Sequence, residues 1–196
     1  MNGYEDLSKY CKKLYEKGLA PGCSGNASIR KNSFVAISPS GCSLNDVTPE
    51  NIVEMDFDGN VINKGKASTE KMMHIGIYKN RPDINAIIHT HSPFLSTFAL
   101  NGKGIENSLL VELPYLFQNM VPLISYNPPG AEELANETAE IFKTYDAAIL
   151  QNHGAIVGAK TIQEALYKYE VLEYMAQVII QEKLLQGKLW KIMQLF

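Results

Sequence analysis

Two of the chain's four histidines stand one residue apart in His89-Thr90-His91, directly after the apolar run Ile84-Asn85-Ala86-Ile87-Ile88. The run reads as a buried β-strand, and strand side chains repeat every second residue, so His89 and His91 share one face. A third histidine, His153 in Gln151-Asn152-His153-Gly154, follows a second buried-strand pattern, Ala147-Ala148-Ile149-Leu150. The fold is thereby constrained: two strands end at one sheet edge and deliver three imidazoles to it. That is how an open, catalytic zinc site is built, with a coordination position left for substrate. Neutral imidazole suits zinc and other late transition metals better than magnesium or calcium.

Strands and helices alternate through the remaining chain. Tyr4, Leu7, Cys11 and Leu14 recur at helical spacing, with Gly18 as a stop. Short strands are expected at Ala27–Arg30 and Phe34–Ser38, and Ile52–Phe57 and Val61–Ile62 flank a hairpin turn at Asp58-Gly59-Asn60. A helix begins near Ser68-Thr69-Glu70, capped by Ser68 or Thr69, and runs to about Tyr78. After the strand Ile84–His91, Pro93 opens a helix to Leu100. Leu123–Tyr126 reads as extended, Ala131 to Phe142 as an amphipathic helix, and Ile156–Val157 as a short strand. Ile162, Ala165, Leu166, Tyr169, Leu172, Ala176 and Ile179 then form one stripe of a long helix. No repeat or linker divides the 196 residues, which predicts one α/β domain over 1–196, with a C-terminal stretch of open role from about residue 185.

Composition narrows the function. A net charge of −3 with no basic cluster argues against a nucleic-acid partner. No apolar stretch approaches the roughly 20 residues that span a bilayer, and the polar, acidic start Met1-Asn2-Gly3-Tyr4-Glu5-Asp6 is unlike a signal peptide. Cys11, Cys23 and Cys42 contain no C-x-x-C pair, so free thiols and a cytoplasmic location are expected.

Glu70 is the natural carboxylate partner for a metal: a helix N-terminus favours its ionised form, and it could fill a fourth position and later move a proton. It reads equally well as an ordinary capping-box glutamate. His74, four residues on, shares its helix face and suits packing or support of the site better than ligation. Ser24-Gly25-Asn26, Ser40-Gly41 and Ser68-Thr69 combine hydroxyls with unhindered backbone amides. Each alone is a turn; converging near a helix N-terminus they would hold a phosphate monoester. Neither G-x-x-x-x-G-K-[ST] nor H-E-x-x-H is present, so P-loop nucleotide binding and a common zinc-protease design are not indicated.

Taken together, Ser24-Gly25-Asn26-Ala27-Ser28, Pro39-Ser40-Gly41, Ser68-Thr69-Glu70, His89-Thr90-His91, Tyr126 ahead of Pro129-Gly130, and Gln151-Asn152-His153-Gly154 resemble the class II aldolase/adducin family, most closely its L-fuculose-1-phosphate aldolase type. The likeness runs from about residue 5 to 180. It implies a three-layer α/β/α domain around a mostly antiparallel sheet, assembled as a homotetramer with active sites between subunits. On that pattern His89, His91 and His153 bind zinc, with Glu70 as a displaceable fourth ligand and the catalytic acid/base. Gly25, Asn26, Ser40, Gly41, Ser68 and Thr69 hold the substrate phosphate, and Tyr126 reaches into a neighbouring subunit's site. The implied reaction cleaves a ketose 1-phosphate between C3 and C4 to dihydroxyacetone phosphate and a short aldehyde such as L-lactaldehyde. The metal serves as a Lewis acid, so no Schiff-base lysine is needed. Methylthioribulose-1-phosphate dehydratases and sugar-phosphate epimerases and decarboxylases of the same family share the histidine triad. Adducin-like binding members, which lack metal ligands, resemble the chain least. Residues Leu185–Trp190 match none of these patterns and suit either a tail closing over substrate or packing against a partner subunit.

Overall fold

The computed structural model describes residues 3–106 and 110–193, the last six of them by backbone alone. Helix α1 (Gly3–Glu16) buries Leu7, Tyr10, Cys11 and Leu14, the helical repeat read in the sequence. It ends in a Schellman turn, with Gly18 at φ +71° and the Leu19 N–H returning to the Leu14 carbonyl at 3.0 Å. Strands β1 (Asn26–Arg30), β2 (Val35–Ile37) and β3 (Val53–Met55) pair antiparallel in turn. The expected turn at Asp58-Gly59-Asn60 forms, but Val61 makes only an isolated bridge to Met55. Asp56 explains the difference: its Oδ1 accepts the N–H groups of Asp58 and Asn60, 2.9 Å each, and this side-chain turn replaces a longer ladder.

Helix α2 (Lys71–Asn80), strand β4 (Ala86–Thr90) and helix α3 (Pro93–Leu100) follow. Then come β5 (Ile105–Glu106), α4 (Glu112–Leu116) and β6 (Met120–Val121), none of which the sequence reading contained, because two- and five-residue elements carry too little periodicity. Strand β7 (Leu123–Ile124), helix α5 (Glu132–Ile141), strands β8 (Ala147–Leu150) and β9 (Gly154–Ala159), and helix α6 (Ile162–Met193) complete the order. β9 extends well beyond Ile156–Val157, since its glycines and alanines are poor strand formers locally but fit where both faces are covered.

Among the described residues the main sheet has the order β3-β2-β1-β4-β9-β8-β7, with β7–β8 as its parallel pair and the other pairs antiparallel; β5 and β6 form a separate ribbon. Alternation divides the core. Ala86 and Ile88 of β4 pack with Leu7 of α1, Leu95 of α3 and Leu166 of α6, whereas Ile87 packs with Ile75 of α2 and Leu134 of α5. Helices therefore cover both faces, giving the α/β/α layers and mostly antiparallel sheet that the resemblance implied. No described helix is long and apolar enough to cross a membrane. The stretch from about residue 185 continues α6 as helical backbone to Met193; Leu184 and Leu185 are exposed, and side chains from residue 188 onward, Trp190 included, lie outside the described residues.

Candidate metal centre and anion pocket

One end of the sheet gathers the start of β1, the end of β4, and the β8–β9 turn, because Asn26 pairs with His89 and Thr90 with Ala155. His89 lies in β4 and His91 just past it, with their Nε2 atoms 3.2 Å apart. His153 sits in the three-residue turn joining β8 to β9, where Asn152 takes up the left-handed conformation (φ 57°) that Asn tolerates. Each histidine offers a ring nitrogen, and the three lie within 4.8 Å of one another. The Nδ1–H of His89 donates to the Ala155 carbonyl at 3.0 Å, which leaves its Nε2 lone pair facing the cluster.

Glu70 closes the set. Its Oε2 is 3.2 Å from His89 Nε2 and its Oε1 is 3.0 Å from His153 Nε2. Oε1 is buried yet makes no hydrogen bond, so the short approach is one of acceptors converging on a common point. Burial alone would raise the Glu70 pKa, but His89 and His153 beside it hold the carboxylate well below its ordinary range. His91 is pushed down to about 4 by burial and by its two neighbouring imidazoles. Burial also works against charge on His89, and Glu70 outweighs it, leaving that ring raised. Three nitrogens and one carboxylate oxygen, one nitrogen fixed from behind by a carbonyl, fit a divalent transition ion.

A cavity of about 390 Å³ opens beside this cluster, and Gly25, Asn26, Ser40, Gly41, Ser68 and Thr69 all line it, as do Glu70, His91 and His153. Its loops are held together by a bridge between Pro39 and Ala67 and by the Ser40 N–H bonding the Lys66 carbonyl at 2.8 Å. Gly25 has φ +84°, and a Cβ there would lie 2.5 Å from the His89 carbonyl, so the loop reaches the strand carrying His89 only as glycine. No lysine or arginine lines the cavity among the described residues, leaving amide and hydroxyl donors to recognise an anion. The chain also brings Cys23 and Asn152 into the lining, which turn patterns alone did not single out.

Glu70 occupies the cap position of α2 rather than its first turn, and the expected capping role passes to Ser68, whose Oγ accepts the Glu70 N–H at 3.2 Å. Freed from capping, the carboxylate faces the histidines. His74 is no ligand: its ring is fully buried, with Nδ1 2.7 Å from Ser28 Oγ and Nε2 2.6 Å from Asn26 Oδ1. Asn26 in turn donates from Nδ2 to Glu70 Oε2 at 3.0 Å, a link 44 residues long that no local pattern announces. Tyr126 is 55% exposed and does not line the cavity; its backbone N–H donates to Gln151 Oε1 at 3.1 Å. On the far side of His91, Glu173 of α6 accepts the Ser92 hydroxyl and the Phe94 and Leu95 N–H groups, and the Tyr169 hydroxyl donates to the Thr90 carbonyl. The segment carrying His89 and His91 is thus clamped from behind.

The chain is similar to known proteins. Residues 5–180 match the family described as Class II Aldolase and Adducin N-terminal domain. An L-fuculose phosphate aldolase of Methanocaldococcus jannaschii is 40% identical over 172 residues, covering 88% of this chain and 92% of that protein. A 5-deoxy-D-ribulose 1-phosphate aldolase of Bacillus thuringiensis is 39% identical over 188 residues, covering 91% and 84%. Among solved structures, an L-fuculose 1-phosphate aldolase superposes with a TM-score of 0.87 at 32% identity, covering 93% of this chain and 86% of that one.

Proposed function

This chain belongs to the class II aldolase and adducin family and is an enzyme of the lyase class, and we propose that it is a zinc-dependent aldolase. It cleaves a ketose 1-phosphate of the L-fuculose 1-phosphate type to dihydroxyacetone phosphate and a short aldehyde such as L-lactaldehyde. The observation that supports this reading most is the single cavity in which anion-binding loops and the Glu70–histidine cluster meet. A sugar phosphate laid across it has its phosphate among hydroxyls and amides and its reacting carbons beside a carboxylate.

His89, His91 and His153 would hold the zinc, with Glu70 as a displaceable fourth ligand. When bound, the ion supplies Lewis-acid polarisation of substrate oxygens and stabilises the charge that C3–C4 cleavage leaves behind. Glu70 then delivers a proton to C3, and in the condensation direction removes it. Tyr126, contributed to a neighbouring copy's site in a homotetramer, exchanges a proton with the C4 oxygen that becomes the aldehyde, as phenolate accepting it in cleavage and as phenol returning it in condensation. Gly25, Asn26, Ser40, Gly41, Ser68 and Thr69 bind the phosphate and fix how far C3 lies from Glu70. The enzyme works in the cytoplasm, without a nucleic-acid partner.

The test is release of dihydroxyacetone phosphate from L-fuculose 1-phosphate and from 5-deoxy-D-ribulose 1-phosphate, read through a coupled NADH assay with and without chelator. Chelator-sensitive release from either establishes the activity and ranks the aldehydes. Absence of release from folded, zinc-bearing protein overturns the aldolase reading in favour of a dehydratase or decarboxylase acting through the same residues.

A further inference from the structure

A row of buried polar groups runs behind the site from α2 to Glu70. The Tyr78 hydroxyl lies 2.8 Å from Ser28 Oγ, Ser28 Oγ lies 2.7 Å from His74 Nδ1, and His74 Nε2 lies 2.6 Å from Asn26 Oδ1. Asn26 Nδ2 is 3.0 Å from Glu70 Oε2 and 3.1 Å from Ser68 Oγ. Tyr78, Ser28 and His74 are fully or almost fully buried, so solvent offers them no alternative partner.

The direction of every bond follows from one end. An ionised carboxylate only accepts, so Asn26 turns its amide nitrogen to Glu70 and its carbonyl to His74. His74 must then donate from Nε2. Burial holds this ring neutral by pulling its pKa down to about 3, so Nδ1 carries no proton and accepts from Ser28. The Ser28 oxygen is left to accept from Tyr78. At the other end, Ser68 Oγ accepts twice, from Asn26 Nδ2 and from the Glu70 N–H at 3.2 Å. With both lone pairs used, its hydrogen points elsewhere, and Ser68 lines the cavity.

We propose that His74 is a positioning residue that sets the polarity of the whole site through Asn26: its Nε2–H locks the Asn26 amide, which makes Ser68 a donor toward the anionic group of the substrate and holds Glu70 Oε2 beside the histidine triad. Without that donor the amide is oriented by the carboxylate alone and its carbonyl oxygen is left without a partner, so the reversed amide gains population. With the amide reversed, Ser68 turns its proton inward to Asn26 Oδ1, and an amide oxygen opposes the carboxylate. One buried ring thereby serves both halves of the site while touching neither substrate nor metal. The inference rests on the reading of Glu70 and the anion pocket given above.

The experiment compares unsubstituted zinc-loaded protein with His74→Leu, His74→Gln and Ser28→Ala. The readouts are zinc content, the dissociation constant for inorganic phosphate by calorimetry, and kcat and KM for the ketose 1-phosphate. Glutamine offers a donor to Asn26 and an acceptor to Ser28, whereas leucine offers neither. His74→Leu should weaken phosphate binding and lower kcat by about tenfold each, the scale of one hydrogen bond to a charged group, with zinc content unchanged. His74→Gln should recover most of both losses. Ser28→Ala leaves the ring in place but frees Nδ1 to take the proton, and it should weaken phosphate several-fold; it also decides the matter if His74→Leu does not fold. Imidazole ¹⁵N spectra of the unsubstituted protein should show His74 as the neutral Nε2–H form. Equal phosphate affinity in all folded variants, or an Nδ1–H form, overturns the inference. So does failure of the unsubstituted protein to bind phosphate, since Ser68 then has no anion to serve. Phosphate affinity and zinc content are read without turnover, so a protein that lacks aldolase activity but shows these shifts refutes the activity and upholds the role of His74.

Discussion

Glu70 Oε1 lies 3.0 Å from His153 Nε2 without a hydrogen bond between them. Two acceptors this close in a buried setting share a positive partner, and the natural one is the cation that His89 and His91 also face. On the proposed function, a carboxylate held this way is a ligand that substrate oxygens can displace and, once displaced, a base beside C3. Glu70→Gln should therefore keep zinc on its three histidines and keep KM within a few-fold, while kcat falls by roughly 10²–10⁴. The coupled assay and zinc analysis check this, and a near-normal kcat removes Glu70 as the acid/base.

His91→Ala should abolish stoichiometric zinc and activity while the protein stays folded. The ring is partly exposed at the cavity wall and is not part of the core, so its loss costs a ligand rather than packing. Retention of a full zinc equivalent after dialysis against a weak chelator would count against the triad.

Gly154 is a sterner position than its turn suggests. A Cβ there would stand 2.4 Å from the Thr90 carbonyl oxygen and 2.9 Å from His91 Cδ2, at the seam of β4 and β9. Gly154→Ala should cost about 1–3 kcal/mol of stability by overpacking and weaken zinc, because the strands part where His91 is anchored. Unchanged urea midpoint and zinc affinity would show that the seam gives way without disturbing the ligands.

How much of this was legible in the chain differs by residue. His89 and His91 were readable because strand alternation is local, and His153 because its preceding run is buried on both faces. The anion loops were readable as turns, but their convergence depends on the Pro39–Ala67 bridge, which no pattern encodes. Glu70 was placed one step too deep in its helix, since the competition between Ser68 and Glu70 for the cap is settled by what the carboxylate faces. Asn26, expected among the phosphate-holding residues, does line the cavity, but that its side-chain amide also joins Glu70, Ser68 and His74, partners 42 to 48 residues away, had no signal in the chain. Long-range polar pairing leaves no periodic trace.

Tyr126 follows β7 at the same sheet end and is more than half exposed, as suits a residue that serves another copy of the chain. Tyr126→Phe removes only the phenolic hydroxyl. It should impair aldehyde addition and release by roughly 10²-fold or more while leaving proton exchange at C3 of dihydroxyacetone phosphate, read by loss of tritium, near normal. Equal losses in both would assign the tyrosine some other role.

The buried neutral ring of His74 also predicts how the zinc-free protein responds to acid. Its pKa lies near 3 in the folded state against an ordinary value of 6.5, so between those limits the unfolded chain binds more protons. Stability is then fully present above about pH 6.5 and is lost as pH falls. Across pH 7 to 5 the loss from this group is about 2 kcal/mol. His91, down to about 4, adds to the same limb, and Glu70, depressed from its ordinary 4.5, adds only below that value. The difference between the parent and His74→Gln isolates the one ring: urea midpoints of chelator-treated protein should fall less steeply from pH 7 to 5 in the variant. Parallel slopes would mean that His74 takes up its proton in the folded state, and a ring that does so has both nitrogens as donors and no acceptor for Ser28.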